Sequence, residues 1–285
     1  MSHALQLAQV QMNVTVAAFE ALPPPSDSPR LTFTTSFLVT AGDRNQSQAL
    51  FLMGGKALST KELEVALKEG EVDMLVHCLK DVPTVLPDSC IIGAIMERED
   101  PVGSLVIKKG KEDTWRTLDD LPAGSVVGMS SVHRVTQLKR NSPKLKFLNV
   151  LYNRNTWLAK LNTDDGPYAA FILTKSGMLH VRMGHCITTD LPPPMLFHAV
   201  SQACLRILEG GCSVPVGVNS MFENGALALM GCVTSLDGNE PFEHTLKEPV
   251  SSVVEAEAAG EWLMKVLITS GTGKILDNIN IDWEK

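Results

Sequence analysis

Cys212 is the residue whose type and surroundings most suggest chemistry. It follows Glu209, Gly210 and Gly211 and precedes a predicted strand. The glycines carry no side chains that would cover the sulfur, and an exposed thiolate suits the covalent attachment of a group. A free cysteine is also commonly a small, buried apolar residue. The local pattern leaves both interpretations open.

Asp81 is a second candidate, because it follows residues 72–77, which have the composition of a buried strand. Lys80 precedes it directly. A carboxylate beside an ammonium group at the carboxyl end of a strand suits general acid–base catalysis. An aspartate before Val82-Pro83 also commonly caps a turn. The sequence around Asp81 is compatible with either role.

A third candidate is an anion site at the start of a predicted helix. Ser130 and Ser131 follow a short strand at 126–128, and serine hydroxyls at a helix start bind anions together with free N–H groups. No Asp or Glu occurs from Ser130 to Asn162. The same stretch contains seven cations: Arg134, Lys139, Arg140, Lys144, Lys146, Arg154 and Lys160. Isolated charges usually form a solvated face, but this segregation favours a polyanionic ligand.

The order of the predicted elements indicates the scaffold around these candidates. A short helix that ends at Gly70 precedes the strand at 72–77, and helix–strand–polar turn is typical of α/β sheets. After Cys212 the sequence predicts a strand at 213–218, and Asn224-Gly225 forms a hairpin turn. A helix around residues 256–268 completes a small α+β domain. The remaining predicted turn is at Asp237-Gly238.

Composition limits the class of protein. The chain has 285 residues, 44% hydrophobic and 20% charged, which suits two or three folded domains. The net charge of −7 argues against nucleic acid as a partner. No run approaches the roughly eighteen apolar residues of a membrane helix, and the N-terminus lacks the cationic region of a signal peptide. We therefore expect a cytoplasmic protein without a membrane partner.

The cysteine pattern argues against metal and disulfide chemistry. Six cysteines are spread along the chain and form no CxxC pair. This spacing is untypical of a zinc site or a disulfide framework. We therefore predict no metal ligands.

Five blocks, in chain order, resemble the porphobilinogen deaminase (hydroxymethylbilane synthase) family. They are GGKALSTKELE at 54–64, VHCLKDVPTVLP at 76–87, GAIMEREDP at 93–101, SSVHR at 130–134 and LEGGCSVPV at 208–216. The block SLDG at 235–238 is similar to animal members of the family. The resemblance extends over nearly the whole chain.

The resemblance implies a fold and an activity. The expected fold is α/β, with two periplasmic-binding-protein-like domains facing a cleft, at 1–103 and 104–193, and a small α+β domain at 203–285. The implied enzyme is a transferase of haem and tetrapyrrole biosynthesis. It condenses four units of its substrate, porphobilinogen, with loss of ammonia at each step. The family is usually monomeric, so we expect a monomer.

The resemblance also implies roles for single residues. Cys212 would hold a dipyrromethane cofactor by a thioether bond, and Asp81 would be the catalytic carboxylate. The acetate and propionate groups of the pyrroles would be bound by five residues: Lys80, Ser130, Ser131, Arg134 and Arg182. Charge-assisted hydrogen bonds suit such carboxylates.

The sequence departs from the family pattern at several positions, four of them arginine positions, and in one segment. Residues other than arginine stand at family arginine positions: His3, His133, Leu151 and Trp157. A connecting segment after Gln202, including a strand of the first domain's sheet, is missing. Each lost bidentate arginine costs about 1.5–3 kcal/mol of carboxylate binding. The alternative is therefore an impaired or inactive relative that binds pyrroles or other polycarboxylates.

Overall fold

The structure is a computed structural model. It describes eleven segments of the chain: 3–24, 29–38, 61–79, 82, 86–97, 99–129, 131–148, 150, 157–191, 216–272 and 275. None of the helices in these segments is long and apolar enough to cross a membrane.

The first part of the chain is helical where it is described. Helix α1 is His3–Glu20 and helix α2 is Lys61–Lys68. Gly70, with φ 74°, ends α2 in the left-handed conformation that the sequence predicts.

The predicted buried strand at 72–77 is wrong. These residues pair with no strand of either sheet described below, and their side chains are half-buried or exposed. A strand is stabilised only by its neighbours, and the nearest described elements before it are helices. Apolar composition alone therefore did not establish a strand here.

Five strands form a mixed sheet. They are β1 (Gly103–Ile107), β2 (Val126–Gly128), β3 (Lys146–Leu148), β4 (Tyr168–Thr174) and β5 (Thr189–Leu191), in the spatial order β3-β2-β4-β1-β5. Strand β2 is parallel to β3 and β4, whereas β1 is antiparallel to β4 and β5. The prediction of β2 and of a mixed α/β architecture is confirmed.

Apolar side chains cover both faces of this sheet. Three helices belong to it: α3 (Val132–Asn141), α4 (Trp157–Asn162) and α5 (Lys175–His180). On β1, Leu105 and Ile107 join one buried cluster while Val106 joins another on the opposite face. This alternation follows from the two-residue period of a strand. The predicted helix after Ser131 is confirmed as α3, with Leu138 fully buried.

The C-terminal part is an antiparallel sheet covered by one helix. It contains β6 (Val216–Glu223), β7 (Ala226–Thr234), β8 (Pro241–Pro249) and α6 (Val253–Leu267). Asn224 and Gly225 both have positive φ, 53° and 74°, as the two-residue hairpin turn requires. Leu263, Met264 and Leu267 pack the helix onto the sheet. The predicted α+β arrangement is confirmed for these residues.

Candidate active site

The described residues contain three of the seven predicted site residues. Ser131, Arg134 and Arg182 are described. The other four lie outside the described residues: Lys80, Asp81, Ser130 and Cys212. The geometry of the candidate site therefore follows from the elements that carry the first three.

Polar residues lie at one edge of the mixed sheet, the edge formed by the carboxyl ends of three of its strands. Strands β2 and β4 are parallel neighbours, so their carboxyl ends, Gly128 and Thr174, lie at the same edge. Strand β5 ends there too, because it and β4 both run antiparallel to β1. The carboxyl edge of such a sheet is where ligands usually bind. Ser131 follows β2, and Lys175 follows β4, at this edge.

Ser131 occupies the N-cap of α3 without capping the helix. Its backbone is extended, with φ −95° and ψ 112°, and its side chain makes no cap hydrogen bond. The Oγ atom is buried and has no hydrogen-bond partner among the described residues. The first N–H groups of a helix also lack intrahelical partners. A buried, unpartnered hydroxyl beside such donors suits an anionic oxygen.

Arg134 lies in the first turn of the same helix and is only 8% exposed. This turn contains no acidic residue. The helix dipole and the guanidinium group therefore both favour negative charge at this end of α3. The donors of Ser131 and Arg134 fit a group that bears carboxylates, which is the chemistry expected from the resemblance.

Three other cations of the acid-free stretch have partners within the protein. Lys139 Nζ donates to the Leu236 carbonyl at 3.0 Å, and Arg140 forms an ion pair with Glu243. Lys144 also donates to a backbone carbonyl. Lys139 and Arg140 join α3 to the C-terminal sheet, and Lys144 joins the segment after α3 to Asp119, so part of the predicted positive field has a structural role.

Arg182 is separated from α3 along the chain by two helices and two strands. It follows α5 in a turn with φ 58°, its side chain is exposed, and its N–H donates to the Leu179 carbonyl at 2.9 Å. A positive φ costs energy for a residue with a Cβ atom, so the turn is held by its surroundings. The structure therefore puts Arg182 and Arg134 on the connections after two different strands.

Trp157 has a packing role. It is the first residue of α4, and its ring meets the Phe171 ring edge-on, with centroids 6.3 Å apart. Phe171 is 1% exposed and belongs to the buried cluster on that face of the sheet. Edge-to-face aromatic pairs stabilise a core, so Trp157 adds packing to this face of the sheet.

Lys175 is a residue that the sequence analysis missed. Its Nζ lies 2.7 Å from Asp190 Oδ2 and 2.9 Å from Asp100 Oδ2. The hydrogen bonds to Asp190 and, secondly, to Asp100 raise the pKa of Lys175 above its ordinary value. Its position directly after a buried strand was the signal that could have found it.

A cavity of about 690 Å³ lies at the opposite edge, by the carboxyl end of β1. Lys109, Arg116 and His185 line it. The cavity and the start of α3 lie at opposite ends of the strands, so the cavity is no part of the candidate site. No cluster of His, Cys, Asp or Glu in the described segments is arranged to hold a metal ion.

Two family models match the chain. One, described as "Porphobilinogen deaminase, dipyromethane cofactor binding domain", matches residues 2–209. The other, described as "Porphobilinogen deaminase, C-terminal domain", matches residues 200–269. Their matches overlap at 200–209, beside the position where the sequence predicts a missing connecting segment.

Curated relatives named porphobilinogen deaminase match along most of their length. The protein of Yarrowia lipolytica is 39% identical over 316 residues, covering 97% of this chain and 91% of the relative. That of Synechococcus elongatus is 38% identical over 308 residues, covering 96% and 92%. That of Saccharomyces cerevisiae is 36% identical over 318 residues, covering 97% and 95%.

These alignments are longer than the 285-residue chain, so each relative contains positions without a counterpart here. Even so, the two models together span residues 2–269 and leave little of the chain unmatched. The chain belongs to the porphobilinogen deaminase family.

Proposed function

We propose that this protein is a hydroxymethylbilane synthase, which condenses four porphobilinogen units with loss of ammonia from each. The observation that carries the proposal is the buried Oγ of Ser131, which has no hydrogen-bond partner among the described residues and lies at the start of α3, whose first turn carries the buried Arg134. Porphobilinogen bears an acetate and a propionate group. Carboxylates are the ligands that these donors bind best.

The proposed site residues have two roles. Five residues bind and orient the carboxylates of the pyrroles, which brings the reacting carbons together. They are Lys80, Ser130, Ser131, Arg134 and Arg182. The second role belongs to the carboxylate of Asp81, which moves protons and stabilises positive charge that develops as an amino group leaves.

The dipyrromethane cofactor named by the first family model fits this set of donors. When bound, it supplies the primer to which the substrate units are added. Cys212 would hold it by a thioether bond, and the Ser131 and Arg134 donors would bind its carboxylates.

The position of Cys212 along the chain supports this assignment. It lies four residues before β6, and four residues of extended chain reach at most about 14 Å. Helix α3 packs against β6 and β7. The length of chain between Cys212 and β6 is therefore compatible with a cofactor that reaches from this thiol to the helix that carries Ser131 and Arg134.

The proposed domain organisation follows the predicted boundaries, 1–103, 104–193 and 203–285. We propose that the enzyme acts as a cytoplasmic monomer. The comparisons give no support to the alternative of an inactive polycarboxylate binder, because the relatives reported above are all named as the enzyme.

Incubation of the purified protein with porphobilinogen tests the proposal. We expect release of one ammonia per unit consumed and formation of hydroxymethylbilane, and loss of both in Asp81→Asn. Asp164→Asn is the control, since Asp164 lies in an exposed loop remote from the candidate site. Binding of porphobilinogen without release of ammonia would contradict the proposal and favour a non-catalytic binder.

A further inference from the structure

Lys175 joins two parts of the chain that are distant in sequence. Its Nζ is shared by Asp100, at 2.9 Å, and Asp190, at 2.7 Å. Asp100 lies three residues before β1, where the chain enters the mixed sheet, and Asp190 lies in β5, the last strand of that sheet. One ammonium group therefore bridges the points where the chain joins and leaves the sheet.

The register of the sheet places these two points side by side. Gly103 of β1 pairs with Leu191 of β5, and Ser104 pairs with Asp190. Ser104 Oγ donates to the second carboxylate oxygen of Asp190 at 2.7 Å, so both oxygens of this carboxylate are engaged. A carboxylate held from two sides has little freedom to swing away from the ammonium group.

Further hydrogen bonds fix the segment before β1 to α5. The backbone N–H of Lys175 donates to the Val102 carbonyl at 3.0 Å, and the Val102 N–H donates to Asp100 Oδ1 at 3.1 Å. At the other end of α5, His180 Nε2 lies 2.6 Å from Glu99 Oε1. Helix α5 therefore holds residues 99–102 at both of its ends.

We propose that Lys175 is a positioning residue of the reaction. Its ion pairs with Asp100 and Asp190 fix the two points where the chain enters and leaves the mixed sheet, which are called the two crossovers below. This inference rests on the proposed function. Along the chain, Asp81 precedes the first crossover and Cys212 follows the second, while Arg134 lies between them on helix α3. In chain order, the proposed acid–base carboxylate and the proposed cofactor thiol thus lie on either side of this ion-paired junction.

Loss of Lys175 should disturb this junction more than loss of either aspartate, because both carboxylates share its ammonium group. Two carboxylate oxygens bound to one nitrogen are close together, and they repel each other when the cation is removed. The three side chains are 28–43% exposed, so solvent screens each pair and the effect on overall stability is small. The effect on the orientation of the two crossovers is larger, because the same group holds both.

Four variants test the role of Lys175. Lys175→Met removes the bridge, Lys175→Arg restores a cation, and Lys175→Met combined with Asp100→Asn removes the repulsion as well. Lys265→Met is the matched control, since Lys265 pairs with Glu261 only on the exposed surface of α6, at 3.7 Å. Two readouts are needed: hydrogen exchange at the Val102 and Lys175 amides, and kcat and KM with porphobilinogen.

We expect Lys175→Met to speed exchange at both amides and to lower kcat by about tenfold, since small misplacements of reacting groups are costly. We expect Lys175→Arg and the double variant to recover part of both effects, and Lys265→Met to match the wild type. Kinetics of Lys175→Met equal to those of Lys265→Met would overturn the inference, as would a lower kcat without faster exchange.

The exchange readout separates this inference from the proposed function. An inactive wild-type protein would refute the function, whereas unchanged exchange at Val102 in Lys175→Met would refute the bridge itself. Should Lys175→Met fail to fold, the single variants Asp100→Asn and Asp190→Asn open one side of the bridge each. We expect faster exchange and lower kcat in both, and wild-type values in both would overturn the inference.

Discussion

The hydroxyl of Thr234, at the end of β7, donates a 2.6 Å hydrogen bond to the hydroxyl of Thr136 on α3, and both side chains are at most 1% exposed. This contact, with the Arg140–Glu243 ion pair, holds α3 against the C-terminal sheet. The helix therefore carries the candidate anion donors in its first turn and the contacts to the C-terminal sheet further along. We expect changes at the two ends to separate binding from stability.

Thr136→Val leaves the buried Thr234 hydroxyl without its acceptor. An unsatisfied buried donor costs about 1–3 kcal/mol, so we expect the free energy of unfolding to fall by that amount. The double variant with Thr234→Val removes both hydroxyls and should be no less stable than Thr136→Val alone. Urea unfolding of the wild type, both single variants and the double variant measures this, and a fully additive double variant would contradict the contact.

Ser131→Ala and Ser252→Ala should have opposite consequences, although both serines are helix N-caps. The Ser252 hydroxyl accepts a hydrogen bond from the Glu255 N–H at 3.2 Å, so its loss should cost about 1 kcal/mol of stability. Ser131 makes no cap bond and its Oγ has no described partner, so its loss should cost nothing in the ligand-free protein. Thermal unfolding compares the two variants.

The same pair separates binding from folding. Porphobilinogen should bind less tightly to Ser131→Ala, with a higher KM, and equally well to Ser252→Ala. A higher KM in the Ser252 variant, or an unchanged KM in the Ser131 variant, would exclude Ser131 as a ligand.

Arg134→Lys should raise the KM for porphobilinogen by about ten- to one-hundred-fold. Lysine keeps the charge but loses the bidentate geometry, and such a contact is worth about 1.5–3 kcal/mol. Arg140→Lys is the matched control, since Arg140 is 39% exposed and its ion pair with Glu243 lies between α3 and β8. Steady-state kinetics that change equally in both variants would count against the special role of Arg134.

Gly128→Ala should destabilise the sheet beside the site. An added Cβ would lie 2.0 Å from Phe171 Cε1 and 2.5 Å from Val150 Cγ2, so the core has to shift at a cost of about 1–3 kcal/mol. Because Gly128 leads directly into the start of α3, we also expect a lower kcat/KM. Gly93→Ala is the control, since no atom lies within 4 Å of its added Cβ. Equal melting temperatures for both variants would contradict this packing.

Local sequence signals predicted the elements that depend on near neighbours. The Asn224-Gly225 turn, the glycine that ends α2 and the start of α3 after Ser131 are set by residues within one or two turns. The strand predicted at 72–77 failed because strand formation depends on distant partners.

The candidate site also contains contacts between residues far apart in the chain, and these could not be predicted from local sequence. The sequence predicted Ser131 and Arg134 as ligand donors, and this stays a prediction, whereas it did not predict the structural role of Arg140, because its partner Glu243 is 103 residues away. The Lys175 bridge joins residues 75 and 15 positions apart and leaves no periodic pattern in the sequence. Such pairings are decided by packing of the whole fold, which local propensity does not contain.

The alkylation of free thiols provides a useful reference for the cofactor assignment. Cys232 is 1% exposed, and burial raises its pKa to about 12, so it should stay unmodified in the folded protein. Cys78 and Cys90 are half-buried and should react slowly. Neither behaviour depends on the cofactor, so these residues serve as internal controls for the state of Cys212.

The intact mass of the purified protein tests the central claim most directly. A chain loaded with dipyrromethane on Cys212 should be heavier than its sequence by two pyrrole units, and Cys212→Ser should lack this increase while Cys90→Ser retains it. A wild-type mass equal to that of the bare chain, or an increase that persists in Cys212→Ser, would contradict the account.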